Sequence, residues 1–477
     1  MCDAKIFVSF DALWQESLLI LVVGASGDLA KKKTYPALYA LYQAGLLPPE
    51  TSIWGFARSP KTTEGFRDHI AALLEDDDKH KPSFLDSCFY RNGTSYGDSD
   101  CLRSILKDAG DQKNVLVYLA VPPHVFGETT GAIRQARQDL PARAGWFRIV
   151  LEKPFGRDLE TCNVLLRELE EQKWPEKDLY RIDHYLGKEM VQNLATLRQH
   201  NPWLGALWNK SVVKSVHILF KEPFGTEGRG GYFDNIGIIR DILQNHLLQV
   251  LTLVAMELPS EWTPDAIRDE KVKVIEAMKV LEVQDCLLGQ YEGYKNDKTI
   301  EDKGTVCPTY AAIRCHVNTP TWEGIPFILE AGKALDERLC EVRLHLHGSR
   351  SSPPNALVMR LQPTPAVYFT ANVKTPGFSS TPVSTHWGVT YEHHLKDIPE
   401  AYSRLLLDVL RGHQENFVRD DELRRAWAIF SPLLHTLEQD RIEPLPYERS
   451  TEGPNNRDEF LHAMGVQVAG LPLASAL

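Results

Sequence analysis

No stretch of this 477-residue chain reaches the roughly 18 to 20 consecutive apolar residues a membrane helix needs, which excludes a helical membrane protein. Basic charge is also in short supply. With 53 Lys and Arg against 64 Asp and Glu, the formal net charge is −11. A nucleic-acid or acidic-membrane partner is therefore not expected, because such surfaces need clustered cations to displace counterions. The eight cysteines (Cys2, Cys88, Cys101, Cys162, Cys286, Cys307, Cys315, Cys340) contain no Cys-x-x-Cys spacing. That leaves out a zinc ribbon and a disulfide framework, so no metal is expected and a reducing compartment fits. Met1 to Ser17 carries three acids and one lysine ahead of a short apolar stretch, the wrong order for a secretory leader. The final Ser475-Ala476-Leu477 lacks the basic middle residue of the peroxisomal Ser-Lys-Leu address, so a cytoplasmic location is expected, with a peroxisome-like organelle as the weaker alternative. There is no internal repeat and no low-complexity tract.

What is present is an ordinary globular composition, 43% hydrophobic and 25% charged, with length for two or more cores. Leu18 to Val23 is a six-residue apolar run ending at Gly24, and Leu29 to Ala44 follows with helical periodicity. Ser52 to Phe56, Val115 to Val121 and Phe147 to Glu152 read as further buried strands with helices between them. Strand–helix alternation over residues 17–180 predicts a Rossmann-type, doubly wound parallel sheet. Beyond it, Val216, Ile218 and Phe220 alternate with other residues, as do Val342, Leu344 and Leu346, and Leu357, Met359 and Leu361. Period two predicts antiparallel strands with one face buried. With helices over Asn235–Met256 and Ala401–Gln439, the second part reads as a larger α+β domain. The expected division is 1–180 and 181–477, with Gly289–Pro308 as a surface loop of the second domain.

Gly24-Ala25-Ser26-Gly27-Asp28-Leu29-Ala30 lies between the first strand and the first helix, where a dinucleotide's pyrophosphate meets backbone N–H groups and the positive helix end. Gly24 allows the tight turn and Gly27 a close approach, while Asp28 reads as a helix N-cap. The second strand ends in Ala57-Arg58-Ser59 without an acid, so Arg58, helped by Lys31, Lys32 or Lys33, favours the 2′-phosphate of NADP over the 2′-hydroxyl of NAD. Lys153, in Glu152-Lys153-Pro154-Phe155-Gly156, emerges at the carboxyl end of the fourth strand, and Pro154 is a candidate cis residue. Arg181-Ile182-Asp183-His184-Tyr185-Leu186-Gly187-Lys188-Glu189 places six ionisable side chains in nine residues. Such a mixture suits a small anionic substrate better than a core. Its expected counterpart is His246, on the apolar helix with Asp241 and Asn245; a lone imidazole there is more often a satisfied core residue.

These segments, together with Lys221-Glu222-Pro223-Phe224-Gly225-Thr226-Glu227-Gly228-Arg229-Gly230-Gly231, Gln244–Gln249 and Gly332–Leu335, give a chain that resembles the glucose-6-phosphate dehydrogenase family. The resemblance implies hydride transfer from C1 of glucose 6-phosphate to NADP. His246 would be the general base and Asp183 its carboxylate support. His184, Tyr185 and Lys188 would grip the phosphate, and Glu222, Asp241, Lys333 and Arg338 would hold the sugar. Lys153 would serve both substrate and cofactor, and Gly24, Ala25, Ser26, Gly27, Asp28, Leu29 and Arg58 would bind the cofactor. A homodimer or homotetramer is implied. Some members hold a second, structural NADP; Arg343, Arg360 and Tyr368 match that site, but Leu339 and Thr370 stand where those members carry lysines, so weak or no binding is expected there. The alternatives are a non-catalytic NADP sensor and a glucose-fructose oxidoreductase-type enzyme acting on unphosphorylated sugars.

Overall fold

The computed structural model describes residues 16–77, 79–110, 113–138, 140, 145–348, 353–378, 380–393 and 398–466. The Ser475–Leu477 address and most of the segment Met1–Ser17 lie outside them. Two compact units are present, one of Met1–Gly156, Asn163–Ile182 and Pro399–Arg419, the other of Arg157–Cys162, Asp183–Ile398 and Asp420–Leu477.

The first unit is built on six parallel strands: β1 (Leu18–Val23), β2 (Thr51–Ala57), β3 (Cys88–Asn92), β4 (Asn114–Leu119), β5 (Phe147–Leu151) and β6 (Leu179–Arg181). Their order, β3-β2-β1-β4-β5-β6, reverses direction at β1, which makes the crevice beyond β1 and β4 the switch point of a dinucleotide-binding sheet. β1 is buried along its whole length, as helices on both faces require. Two strands escaped the sequence reading. β3 is an edge strand whose Arg91 and Asn92 break the apolar run, and β6 has three residues.

A division at residue 180 also needs amending. The helix Ala401–Arg411 buries Tyr402, Leu405, Leu406 and Val409 in the same core as Ile20, Val22, Leu116 and Tyr180, because its apolar stripe finds its partner in the first unit. The expected single helical stretch Ala401–Gln439 is accordingly two helices, Ala401–Arg411 and Asp420–Gln439.

The second unit carries a nine-stranded mixed sheet. Its strands are β7 (Val213–Lys221), β8 (Cys286–Tyr291), β9 (Tyr310–His316), β10 (Pro326–Gly332), β11 (Leu339–Leu346), β12 (Ala356–Gln362), β13 (Ala366–Lys374), β14 (Pro382–Thr390) and β15 (Leu445–Tyr447). In the order β14-β13-β12-β11-β7-β10-β9-β8-β15, pairing is antiparallel except between β7 and β10 and between β8 and β15. β7 is central and buried on both faces apart from Lys214, so the expected one-sided burial fails there. The proposed surface loop Gly289–Pro308 is also corrected. Gly289 to Tyr291 completes β8, and Tyr294 and Ile300 are buried. The phenol of Tyr294 and the hydroxyl of Thr305 both donate to Asp234 at 2.9 and 2.7 Å, which pins the segment to the helix Gly230–Asp234.

Candidate active site

The segment after β6 folds back at Asp183, whose side chain caps the short 3-10 turn His184–Gly187 by accepting from the Tyr185 amide at 2.9 Å. The same oxygen, Oδ1, lies 2.5 Å from Nδ1 of His246. Both groups are buried. A carboxylate accepting at Nδ1 puts the ring proton there and points proton-accepting chemistry to Nε2. His246 stands on a π-helical segment, Ile239–Leu247, that continues as the helix Leu248–Ala255. The wider pitch recurs at functional sites, since it turns side chains out of the ordinary helical register. Asn245 steadies the step: its amide nitrogen donates to the Arg240 carbonyl at 2.9 Å, and its oxygen accepts from the His246 amide at 2.7 Å.

Around this pair the predicted residues assemble. The Tyr185 ring stacks on His246 with centroids 4.3 Å apart and 21° between planes, and His184 meets His246 edge-on at 4.4 Å. The Lys188 ammonium sits 4.5 Å from the centre of the Tyr185 ring. Burial holds the Tyr185 phenol well above its ordinary pKa, with Cys340, Glu222 and Asp183 adding to the effect, so it stays neutral and able to donate.

Glu222, Asp241 and Lys333 come together from three elements. The Lys333 ammonium pairs with Glu222 at 2.6 Å and with Asp241 at 3.5 Å. They line a cavity of about 360 Å³ with Thr226, Arg229, Tyr232 and Phe233, large enough for one small ligand. Tyr232 and Phe233 were not singled out from the sequence, although the glycine-rich segment Lys221–Gly231, which contains Arg229 and leads into them, was. Arg338 is exposed just ahead of β11 and is not among the residues that line this cavity.

In the first unit, the turn after β1 is closed by the Gly24 and Ala25 amides, both donating to the Phe56 carbonyl, and by the Gly27 amide donating to Gly24. Gly24 has φ +83°, and a Cβ there would lie 2.2 Å from the Ala120 carbonyl oxygen. Only glycine makes that turn. Ser26, at the tip, meets Ser59 hydroxyl to hydroxyl at 3.2 Å, so the phosphate turn and the end of β2 share one edge. Arg58 is exposed on that edge with its guanidinium 5.0 Å from the Tyr96 ring, and Lys31 and Lys32 are near in sequence to the turn. A glycine turn at the switch point, beside Arg58 on a strand that no acid ends, fits a dinucleotide bearing a 2′-phosphate. Asp28 is exposed and pairs with Lys32 at 3.0 Å. Leu29 completes the turn into the helix. Lys153 is half-buried at the end of β5, and the Lys153–Pro154 bond is cis.

At the structural-NADP positions, Arg343 and Arg360 each direct Nε to a different oxygen of Glu341, both at 2.7 Å. Leu339 is buried and the Thr370 hydroxyl accepts from the Ala356 amide at 2.7 Å. The two guanidiniums are thus already shared by one internal carboxylate.

A six-stranded dinucleotide-binding unit, with a mixed-sheet unit carrying a buried imidazole–carboxylate pair beside a polar cavity, defines the class: a nicotinamide-dependent oxidoreductase acting on an alcohol. Comparison with known proteins makes the assignment more particular. Residues 21–193 match the glucose-6-phosphate dehydrogenase NAD binding domain and residues 195–468 the glucose-6-phosphate dehydrogenase C-terminal domain. A glucose-6-phosphate 1-dehydrogenase of Dictyostelium discoideum is 45% identical over 472 residues, covering 94% of either chain. A cytoplasmic one of Arabidopsis thaliana is 43% identical, covering 94% of this chain and 92% of its own. A solved glucose-6-phosphate dehydrogenase in complex with glucose-6-phosphate superposes with a TM-score of 0.90 at 41% identity, covering 96% of this chain and 99% of that one. The glucose-6-phosphate 1-dehydrogenase of Mycobacterium avium gives 0.84 at 32%, covering 96% of this chain and 100% of that one. The chain belongs to the glucose-6-phosphate dehydrogenase family. Among the described residues no helix is long and apolar enough to cross a membrane.

Proposed function

We propose that this chain oxidises glucose 6-phosphate at C1 to 6-phosphoglucono-1,5-lactone with NADP as acceptor, the first step of the oxidative pentose phosphate pathway. The observation that carries the reading is the buried His246–Asp183 pair flanked by His184, Tyr185 and Lys188 in a chain of this family. Nε2 of His246 takes the proton of the C1 hydroxyl. The Asp183 carboxylate holds the Nδ1–H and stabilises the imidazolium as it forms. Bound NADP would supply the hydride acceptor, so that the C1 hydrogen leaves with both electrons of its bond and the C1–O bond becomes the lactone carbonyl. His184, Tyr185 and Lys188 bind the phosphate through an imidazole, a neutral phenol and an ammonium. Glu222 and Asp241 accept from sugar hydroxyls, with Lys333 fixing both carboxylates. Gly24 to Leu29 and Arg58 bind the dinucleotide, and Lys153 serves substrate and cofactor.

We place the protein in the cytoplasm as a homodimer or homotetramer. The edge strand β14, which exposes Trp387 and Val389, supports self-association. The deciding experiment for the activity follows reduced nicotinamide with glucose 6-phosphate and, separately, with glucose. A strong preference for the phosphorylated sugar is expected. Equal or better rates on glucose would favour the glucose-fructose oxidoreductase type, and no reduction on either would favour a sensor.

A further inference from the structure

We propose that Asp183, His184 and His246 also form a binding site for one divalent transition-metal ion of the zinc class, and that its occupation switches the enzyme off. The inference rests on the catalytic reading of His246. One oxygen of Asp183 and one ring nitrogen from each histidine lie within 4.8 Å of one another. Two imidazoles and a carboxylate are the donor set of open zinc sites, with metal–ligand distances near 2.0–2.2 Å and a fourth position left to water or substrate.

A tetrahedral ion needs those three atoms roughly 3.4 Å apart, so closing the site takes side-chain adjustment and no new ligand. The Asp183–His246 contact at 2.5 Å opens to admit the ion between its two atoms, and the half-buried His184 ring, edge-on to His246, supplies the third ligand. An ion shared with Asp183 displaces the proton on Nδ1, and the neutral ring then carries its proton on Nε2, where it can accept no other, so metal binding and turnover exclude each other. It also engages His184, a proposed phosphate ligand, which sets it against glucose 6-phosphate.

The surroundings define the chemistry further. Calcium and magnesium prefer six or more oxygen ligands, and this cluster offers one carboxylate, so a borderline-soft ion is selected. The Lys188 ammonium beside the Tyr185 ring opposes any cation, which places affinity below that of a dedicated structural site. The nearby Cys340 thiol is pushed up to about 12 by burial and stays protonated, so the site is free of thiolate. Among the described residues no other group of three such ligands is brought together. His217 and Glu330 are buried and tied to Arg457 and Tyr310, and His80 with Asp77 gives two ligands at the surface.

The test titrates the metal-free, full-length protein with Co²⁺ and reads its visible absorption, then displaces it with Zn²⁺. One equivalent with a tetrahedral, thiolate-free spectrum is expected. His184→Gln and His246→Gln should each weaken it more than about tenfold, while His80→Gln leaves it unchanged. Zn²⁺ should raise the apparent KM for glucose 6-phosphate, with full reversal by chelator. Retained Co²⁺ binding in His184→Gln, a sulfur charge-transfer band, or inhibition indifferent to glucose 6-phosphate overturns the proposal. Turnover by metal-free enzyme that binds no Co²⁺ sinks the metal site alone; Co²⁺ binding without turnover in metal-free enzyme sinks the dehydrogenase reading instead.

Discussion

Asp183→Asn separates the two duties of one oxygen. Oδ1 both caps Tyr185 and holds His246. An amide oxygen can accept from both N–H groups, so the substitution keeps the turn, keeps the proton on Nδ1 and removes only the charge. The imidazolium that forms during proton abstraction then loses its carboxylate. Two unit charges about 4 Å apart interact by about 4 kcal/mol at an effective dielectric near 20, equivalent to roughly a thousandfold in rate. Steady-state formation of reduced nicotinamide should show kcat down by about that factor, with KM for glucose 6-phosphate changed less than about threefold and the thermal midpoint nearly unaltered. The acid limb of the kcat/KM profile should move to lower pH, because the imidazole gives up its proton more easily. If kcat stays within tenfold of wild type in a folded variant, the carboxylate does not support the base and the reasoning is refuted.

Lys188→Ala should raise KM for glucose 6-phosphate roughly 10- to 100-fold, the value of one charge-assisted contact of about 1.5–3 kcal/mol, and leave any slow rate on glucose untouched; equal losses on both sugars would remove the phosphate from its role. Gly24→Ala places a Cβ 2.2 Å from the Ala120 carbonyl at φ +83°. It should weaken NADP binding strongly, read by quenching of protein fluorescence, and lower the thermal midpoint; normal values for both would contradict the cradle. Asp408 is raised from 3.8 to about 6 by burial, partly offset by the hydrogen bond from Asn416. The folded state therefore holds its proton more tightly, and stability is lost as pH rises through about 4 to 6, by at most about 3 kcal/mol before solvent screening. Asp408→Asn should accordingly raise the melting temperature at pH 8 and not at pH 4, and a gain at pH 4 alone would reverse the sign.

The parts of this molecule legible in the sequence are those that local physics fixes. Leu18 to Val23 ending at Gly24 needs no distant partner to read as a buried strand and tight turn, and the charged segment at 181–189 declares itself by what a core does not hold. Distant packing hid the rest. β3 and β6 are strands because neighbours pair with them, and nothing in Arg91-Asn92 or Leu179-Tyr180-Arg181 says so alone. The helix Ala401–Arg411 has a clear apolar stripe, but a stripe does not name the core it joins. The π pitch under His246 is invisible to a 3.6-residue period, yet it belongs to the segment that carries the proposed base. Gly289–Pro308 reads as polar loop because its burial depends on Asp234, over fifty residues earlier.

Everything in the proposed chemistry passes through Nε2 of His246. Purified wild type and His246→Asn, compared with saturating NADP and glucose 6-phosphate, test that most directly: reduced nicotinamide should accumulate with the first and by less than about a thousandth of that rate with the second, while calorimetry shows glucose 6-phosphate bound by both with similar affinity. Comparable turnover by the two proteins would contradict the account.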